Sequence, residues 1–215
     1  DPNTGDVRIC DNDNVTVNGV HTGVLGTPRF MAPEIVTGEK RPSTDTDLYS
    51  MALLLFYMLM IHHPLEGARE AKIRALDIHA MNQLYGNKPL FIWDPVDKSN
   101  RPLKGYQDNA IIYWDLYPKF LKDLFMRSFT DGLFNPQKRV VEKEWLDAFA
   151  RLMDSIIYCP RCGAEVFFDE AKREKGVGHI CWYCQASVAV PPVLQIGKKT
   201  LLLNKDARLL SHHVK

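Results

Sequence analysis

The sequence predicts a mainly α-helical domain over residues 1–157, a small β module over 158–190 and a β-hairpin-like segment over 191–215. Three observations carry that prediction. An apolar run of 11 residues, Met51 to Ile61, follows directly on a helix-start signal. Two Cys-x-x-Cys pairs stand at 159–162 and 181–184. Val193–Ile196 and Thr200–Leu203 alternate around Gly197-Lys198-Lys199, which is a hairpin pattern.

Taken in order, the chain opens with a short strand, Val7 to Cys10, and an aperiodic polar stretch up to Phe30. Helices then dominate. In Pro42-Ser43-Thr44-Asp45-Thr46-Asp47, Thr44 is placed to cap, Asp47 three residues on closes a capping box, and the acids suit the helix dipole. The apolar run that follows is hydrophobic all round, which predicts a rod central to the core that stops near His62-His63-Pro64. His62 and His63 lack cysteines or acids at ligand spacing and read as helix-end residues. Two more helices are predicted at 116–129 and 142–157, the second with Trp145, Phe149, Leu152, Met153 and Ile156 on one stripe. Residues 67–115 read as an enlarged loop.

Charge narrows the function classes. The chain carries 27 basic and 26 acidic side chains, a net +1, with 46% apolar and 25% charged residues, the composition of an ordinary globular protein. Residues 157–190 hold four basic and four acidic groups, so the cysteine module has no phosphate-attracting face and nucleic acid is an unlikely partner. Residues 191–215 hold five basic groups against one acidic, which reads as a solvated edge that keeps strands from pairing with other chains. A membrane span needs roughly 18–20 apolar residues, more than the longest run here, so no membrane partner is expected.

Cys159, Cys162, Cys181 and Cys184 form two pairs separated by 18 residues, the spacing of a four-thiolate zinc site. Two residues between thiols let a tight knuckle aim both sulfurs at one ion, and Pro160 and Gly163 supply the fixed and the permissive backbone that the turn requires. Two disulfides are the competing reading, but intra-motif bridges are strained and nothing secretory is visible. Strand-like runs at 164–168 and 176–180 flank a charged turn at 169–175, so the module resembles a zinc ribbon with structural Zn2+, and His179 is expected to face solvent. Reduced thiols place the protein in the cytoplasm.

The longer domain resembles a family. Gly26-Thr27-Pro28-Arg29-Phe30-Met31-Ala32-Pro33-Glu34 resembles the end of the activation segment in serine/threonine protein kinases, with Ala32-Pro33-Glu34 as the Ala-Pro-Glu motif. Asp47-Leu48-Tyr49-Ser50-Met51-Ala52 resembles the start of the central helix of that fold, and Pro64-Leu65-Glu66-Gly67 its exit. Asn135-Pro136-Gln137-Lys138-Arg139 is similar to the Asp-Pro-x-x-Arg element before the last helix, and Val7-Arg8-Ile9-Cys10-Asp11 to the strand leading into Asp-Phe-Gly. Residues 5–157 are thereby identified as similar to a kinase C-lobe, a bacterial type being suggested by the short activation segment and the appended ribbon.

The resemblance implies roles. Asp11 holds Mg2+ against the phosphates of ATP, although Asn12 and Asp13 replace the Phe and Gly of the motif. Thr27 belongs to the loop beside the incoming substrate residue, and Thr22 is a candidate phosphosite that would order the loop by its added charge. Glu34 and Arg139 form a buried structural pair. Asp47 anchors the backbone of the catalytic loop as well as capping its helix. No Gly-rich loop, strand lysine or His-Arg-Asp loop occurs in the chain. The expectation is therefore a C-terminal piece of a larger kinase, whose partners are its own N-lobe and a protein substrate, and which transfers no phosphate by itself. A pseudokinase scaffold and a zinc-ribbon interaction module are the alternatives.

Overall fold

In the computed structural model, residues 26–197, 199–204 and 207–214 are described, with residues 4, 15, 17, 18, 20 and 23 upstream. The fold is mainly α with small antiparallel strand pairs. The predicted strand at 7–10 lies outside the described residues.

After a short 3₁₀ turn at Pro28–Phe30 come α1 (Pro33–Val36) and the long α2 (Thr44–Met60). The cap of α2 sits one residue earlier than predicted. Ser43 is the N-cap, and its backbone N–H donates to Thr46 Oγ1 at 2.8 Å, so Thr46 closes the turn and Asp47 does not. Tyr49, Ala52, Leu53, Phe56 and Met60 are buried, and the Phe56 ring meets Phe125 at 5.2 Å, Phe129 at 5.7 Å and Phe91 at 5.8 Å. The helix is not enclosed on every side. Leu54, Met58 and Ile61 are 51%, 65% and 52% exposed and line one stripe at helical spacing, which corrects the all-round burial that their hydrophobicity predicts.

Residues 67–115 are folded rather than an enlarged loop. They contain α3 (Ile78–Met81), a π-helical segment (Asn82–Asn87) and α4 (Asp108–Leu116). Leu84, Tyr85, Phe91, Ile92 and Ala110 from this stretch are buried in the main core. Asn100, fully buried, fastens it: its Nδ2 donates to the carbonyls of Leu65 at 2.9 Å and Leu90 at 2.7 Å, and its Oδ1 accepts from Arg69 N–H at 3.0 Å. A Cβ on Gly67 would lie 1.9 Å from the Asn100 carbonyl oxygen, so only glycine permits this approach.

The helix predicted at 116–129 begins at 119, because Pro118 takes the N-cap of α5 (Lys119–Phe129) and ends α4. A short α6 (Asp131–Phe134) leads to α7 (Glu142–Asp154). The predicted continuation of α7 to 157 fails, since Ser155 Oγ bonds back to Leu152 O and residues from Ile156 leave the helix as a strand.

That strand, β1 (Ile156–Tyr158), pairs antiparallel with β2 (Glu165–Phe167), Ile157 opposite Val166. After α8 (Glu170–Glu174), β3 (His179–Ile180) pairs with β4 (Ser187–Val188), His179 opposite Val188. Each of the two predicted strand runs thus forms a miniature hairpin around its own cysteine pair, and the charged segment between them, read as a turn, contains a helix. His179 is buried rather than solvent-facing. Its Nε2 accepts from Asp169 N–H at 3.0 Å and its ring stacks on Phe168 at 5.5 Å. Finally β5 (Val193–Ile196) pairs with β6 (Lys199–Leu202) across Gly197, whose φ of 59° serves the turn, and α9 (Ser211–Val214) follows. Leu202 joins Ile157, Val166, Phe168 and Val188 in a second, smaller core, so the hairpin packs on the cysteine module.

Alternation along β2 splices the two cores together. Phe167 faces Tyr117 of the helical core at 5.2 Å while Val166 enters the smaller core. Asp169 adds a polar joint, its carboxylate accepting from Lys119 N–H at the start of α5 at 3.1 Å and from Ala171 N–H at the start of α8 at 3.1 Å. Among the described residues no helix is long and apolar enough to cross a membrane.

Candidate functional site

The segment Thr27–Glu34 is shaped by two prolines. Pro28 opens the 3₁₀ turn, closed by Phe30 N–H to Thr27 O at 2.8 Å, and Pro33 occupies the first turn of α1, where a missing N–H costs nothing. Thr27 is exposed at the head of this turn. Two ion pairs, one buried and one partly exposed, anchor the segment from below.

In the first, Arg139 Nη2 donates to Glu34 Oε2 at 2.9 Å and Nη1 lies 2.9 Å from Oε1, with the Arg139 side chain 1% exposed. The same guanidinium donates to the carbonyls of Asp45 at 2.7 Å and Gly132 at 3.0 Å, and it lies over the Tyr49 ring at 5.5 Å. One side chain therefore joins α1, the start of α2, α6 and the turn before α7. Leaving such a cation without its carboxylate is what makes a buried pair costly to break.

The second pair was not anticipated. Arg29 forks onto Glu66 through Nε at 2.6 Å and Nη2 at 2.7 Å, and Tyr85 OH donates to Glu66 Oε1 at 2.6 Å. Burial opposes ionisation of Glu66, but the Arg29 fork, His63 and the Tyr85 hydroxyl outweigh it and lower its pKa. Burial and the neighbouring carboxylate both push the Tyr85 phenol up. His63 lies just past the end of α2 and is fully buried: Leu65 N–H donates to its Nδ1 at 3.1 Å, leaving Nε2–H to donate to Arg29 O at 2.8 Å. Burial lowers its pKa to about 4, so the ring is neutral at pH 7. In the sequence Glu66 shows only as part of the Pro64-Leu65-Glu66-Gly67 exit. Its partners stand 37 and 19 residues away, beyond any local pattern.

Asp47 projects exposed from the first turn of α2, and partial desolvation raises its pKa. Its N–H bonds to Ser43 O at 3.0 Å. Asp11 and Thr22 lie outside the described residues, so no geometry joins them to Thr27.

The four cysteines converge. Cys159 Sγ lies 3.6 Å from Cys184 Sγ and Cys162 Sγ 3.6 Å from Cys181 Sγ, all four sulfurs lie within 4.8 Å of one another, and none is in a disulfide. With Zn–S bonds of about 2.3 Å, the edge of a thiolate tetrahedron is about 3.8 Å, so the arrangement fits a tetrahedral metal. Both knuckles repeat one hydrogen-bond scheme: Gly163 N–H to Cys159 O at 2.9 Å, Gln185 N–H to Cys181 O at 3.0 Å, and each first cysteine N–H to the carbonyl five residues on at 2.9 Å. Burial works against a thiolate at Cys159, yet the N–H groups of Arg161 and Cys162 and the neighbouring thiols bring it down to about 6. At Cys162 the N–H of Ala164 favours the thiolate, but burial and the three surrounding thiols push it up to about 12. Four thiolates this close require a cation between them. These residues can hold a metal.

Comparison with known proteins agrees with the architecture of the larger unit. Residues 1–144 match the family described as "Protein kinase domain", and the chain belongs to that family. A stretch of 78 residues is 28% identical to "Probable serine/threonine-protein kinase MARK-C" of Dictyostelium discoideum, covering 35% of this chain and 10% of that protein. Another of 69 residues is 39% identical to "Protein kinase C-like 1" of Candida albicans, covering 32% of this chain and 6% of that protein. The chain thus aligns with a small part of each of these relatives.

Proposed function

We propose that the unit ending with α7 is the substrate-side C-lobe of a serine/threonine protein kinase, which in its intact parent transfers a phosphoryl group from ATP to a protein hydroxyl. The observation that carries this reading is the Glu34–Arg139 pair, which ties the Ala32-Pro33-Glu34 element to the turn before α7 across 105 residues. It holds the loop bearing Thr27 in one place, and phosphoryl transfer depends chiefly on positioning and charge neutralisation. Thr27 would stand beside the incoming hydroxyl. Asp11 would hold Mg2+, which when bound neutralises the phosphates, and Asp47, exposed at the head of α2, would anchor the catalytic loop. Phosphate on Thr22 would bring charge to the stretch before Thr27. The exposed Leu54, Met58 and Ile61 stripe supports the reading, because a helix central to the kinase fold needs polypeptide on that side too. This chain, lacking the lysine and His-Arg-Asp elements, would not catalyse transfer alone.

The four cysteines would hold structural Zn2+, consistent with a reducing compartment such as the cytoplasm. Asn12 and Asp13, in place of Phe and Gly, favour a second reading as a pseudokinase scaffold. Phosphate transfer measured on the full-length parent distinguishes them. Incorporation that disappears in Asp11→Ala supports catalysis; an equal signal from both, or none from either, overturns it.

A further inference from the structure

The carboxylate of Asp154 is in an unfavourable place. It is the last residue of α7, where the unpaired carbonyls give the helix end a partial negative charge, and its side chain is only 15% exposed. Arg151, one turn back, does not neutralise it: that guanidinium lies over the Phe120 ring at 4.1 Å and reaches Glu170 at 3.4 Å. Among the described residues the groups paired with Asp154 are two consecutive imidazoles from the far end of the chain. His212 Nε2 and His213 Nε2 approach the same oxygen, Oδ2, at 2.8 and 2.9 Å, with ring centroids 4.0 Å apart. His213 is 2% exposed.

We propose that Asp154, His212 and His213 form a second metal site, separate from the four cysteines, for a borderline divalent cation of the Zn2+ class. The three ligand atoms lie within 4.8 Å of one another. For bonds of about 2.1 Å, ligand atoms sharing an ion stand about 3.0 Å apart at right angles and about 3.4 Å apart in a tetrahedron, so the observed spacings need little adjustment. Imidazole and carboxylate together select zinc, cobalt or nickel over the hard cations. A cation here would cancel the carboxylate, relieve the helix end and clip the C-terminal segment to α7. Three protein ligands leave a position for water.

Binding requires the same internal change at both rings, each of which donates Nε2–H to Asp154 Oδ2. Leu210 N–H donates to His213 Nδ1 at 2.8 Å, which leaves the proton of that ring on Nε2. On taking up the ion, the proton shifts from Nε2 to Nδ1, the Nε2 lone pair goes to the metal, and the Leu210 bond is given up with no net proton released. His212 makes the same shift, its proton moving from Nε2 to Nδ1 and the Nε2 lone pair going to the metal, while the Lys199 ammonium stays on the His212 carbonyl.

Cobalt titration of the metal-stripped full chain tests the site. The expected result is two equivalents: one with sulfur-to-cobalt charge-transfer absorption, from the cysteines, and a second with only weak visible bands. His212→Ala/His213→Ala should lose the second and keep the first, and Asp154→Asn should weaken the second at least tenfold. Metal analysis after zinc loading should give two ions per wild-type chain and one in the double variant. Saturation of the wild type with no thiolate-free equivalent overturns the proposal, as does a double variant that retains the second ion. Loss of the charge-transfer band alone bears on the cysteine site and leaves this one standing.

Discussion

The helical unit and the cysteine module solve the same problem with different means. Around Phe56 the helical unit stacks aromatic rings from α4, α5 and the 67–115 segment, and polar groups such as Arg139 and Asn100 are satisfied inside it. The cysteine module buries little besides Ile157, Val166, Phe168, Val188, Leu202 and two of its own cysteines. Its hairpins have two or three residues per strand, below what a free hairpin needs to persist in water. With a metal at the four cysteines, one sequence would leave part of its folding energy to burial and part to coordination, and the two parts should fail under different treatments.

The sharpest break in that comparison is metal removal. With zinc at the four cysteines, chelation should remove about 10 kcal/mol or more of folding energy from the module, so amide exchange protection is lost for β1 to β4 while the far-ultraviolet helical signal persists. Equal loss in both regions would show that they fold as one unit. The converse break is in the helical unit. Glu34→Gln should cost about 3–5 kcal/mol by stranding Arg139, read from urea midpoints, with the cobalt charge-transfer band of the module unchanged. A change below about 1 kcal/mol would show that the pair is not a keystone.

Acid sharpens the contrast further. His63 is neutral and buried in the folded chain, with a pKa lowered to about 4, whereas the unfolded residue titrates at the ordinary 6.5. Between those values the unfolded state binds the extra proton. The stabilising contribution is therefore complete above pH 6.5 and is lost as pH falls towards 4, by about 2–4 kcal/mol at about 1.4 kcal/mol per unit. His63→Gln should flatten that slope in unfolding measured from pH 7.5 to 4.5. The smallest expected effect separates two capping assignments: Thr46→Ala should cost about 1 kcal/mol and Asp47→Ala a few tenths at most, read from thermal midpoints.

How much was legible follows from how far each interaction reaches along the chain. The four cysteines, the hairpin around Gly197 and the helix start near residue 44 are spacing signals a few residues long, and the structure contains all three elements. The runs at 164–168 and 176–180 show as strand-like, but their partners, β1 and β4, are not marked by any pattern, because each short strand pairs across its own cysteine knuckle. His179, expected to face solvent because four cysteines already complete the ligand set, is held inside by Phe168 and the Asp169 N–H. Arg29 with Glu66, and Asp154 with His212 and His213, join residues 37, 58 and 59 apart, and no periodicity couples such positions.

Short stretches of sequence carry the start of α2 to within one residue, the thiol spacing within each knuckle and, through motif order, the fold family the chain joins. Those are short-range steric and hydrogen-bonding preferences, complete within one or two turns of chain. Tertiary structure alone decided which face of α2 is covered, which carboxylate each arginine meets, and that two C-terminal histidines reach the end of α7. Burial changes the worth of a charge or an apolar face according to what lies opposite, and what lies opposite comes from elsewhere in the chain.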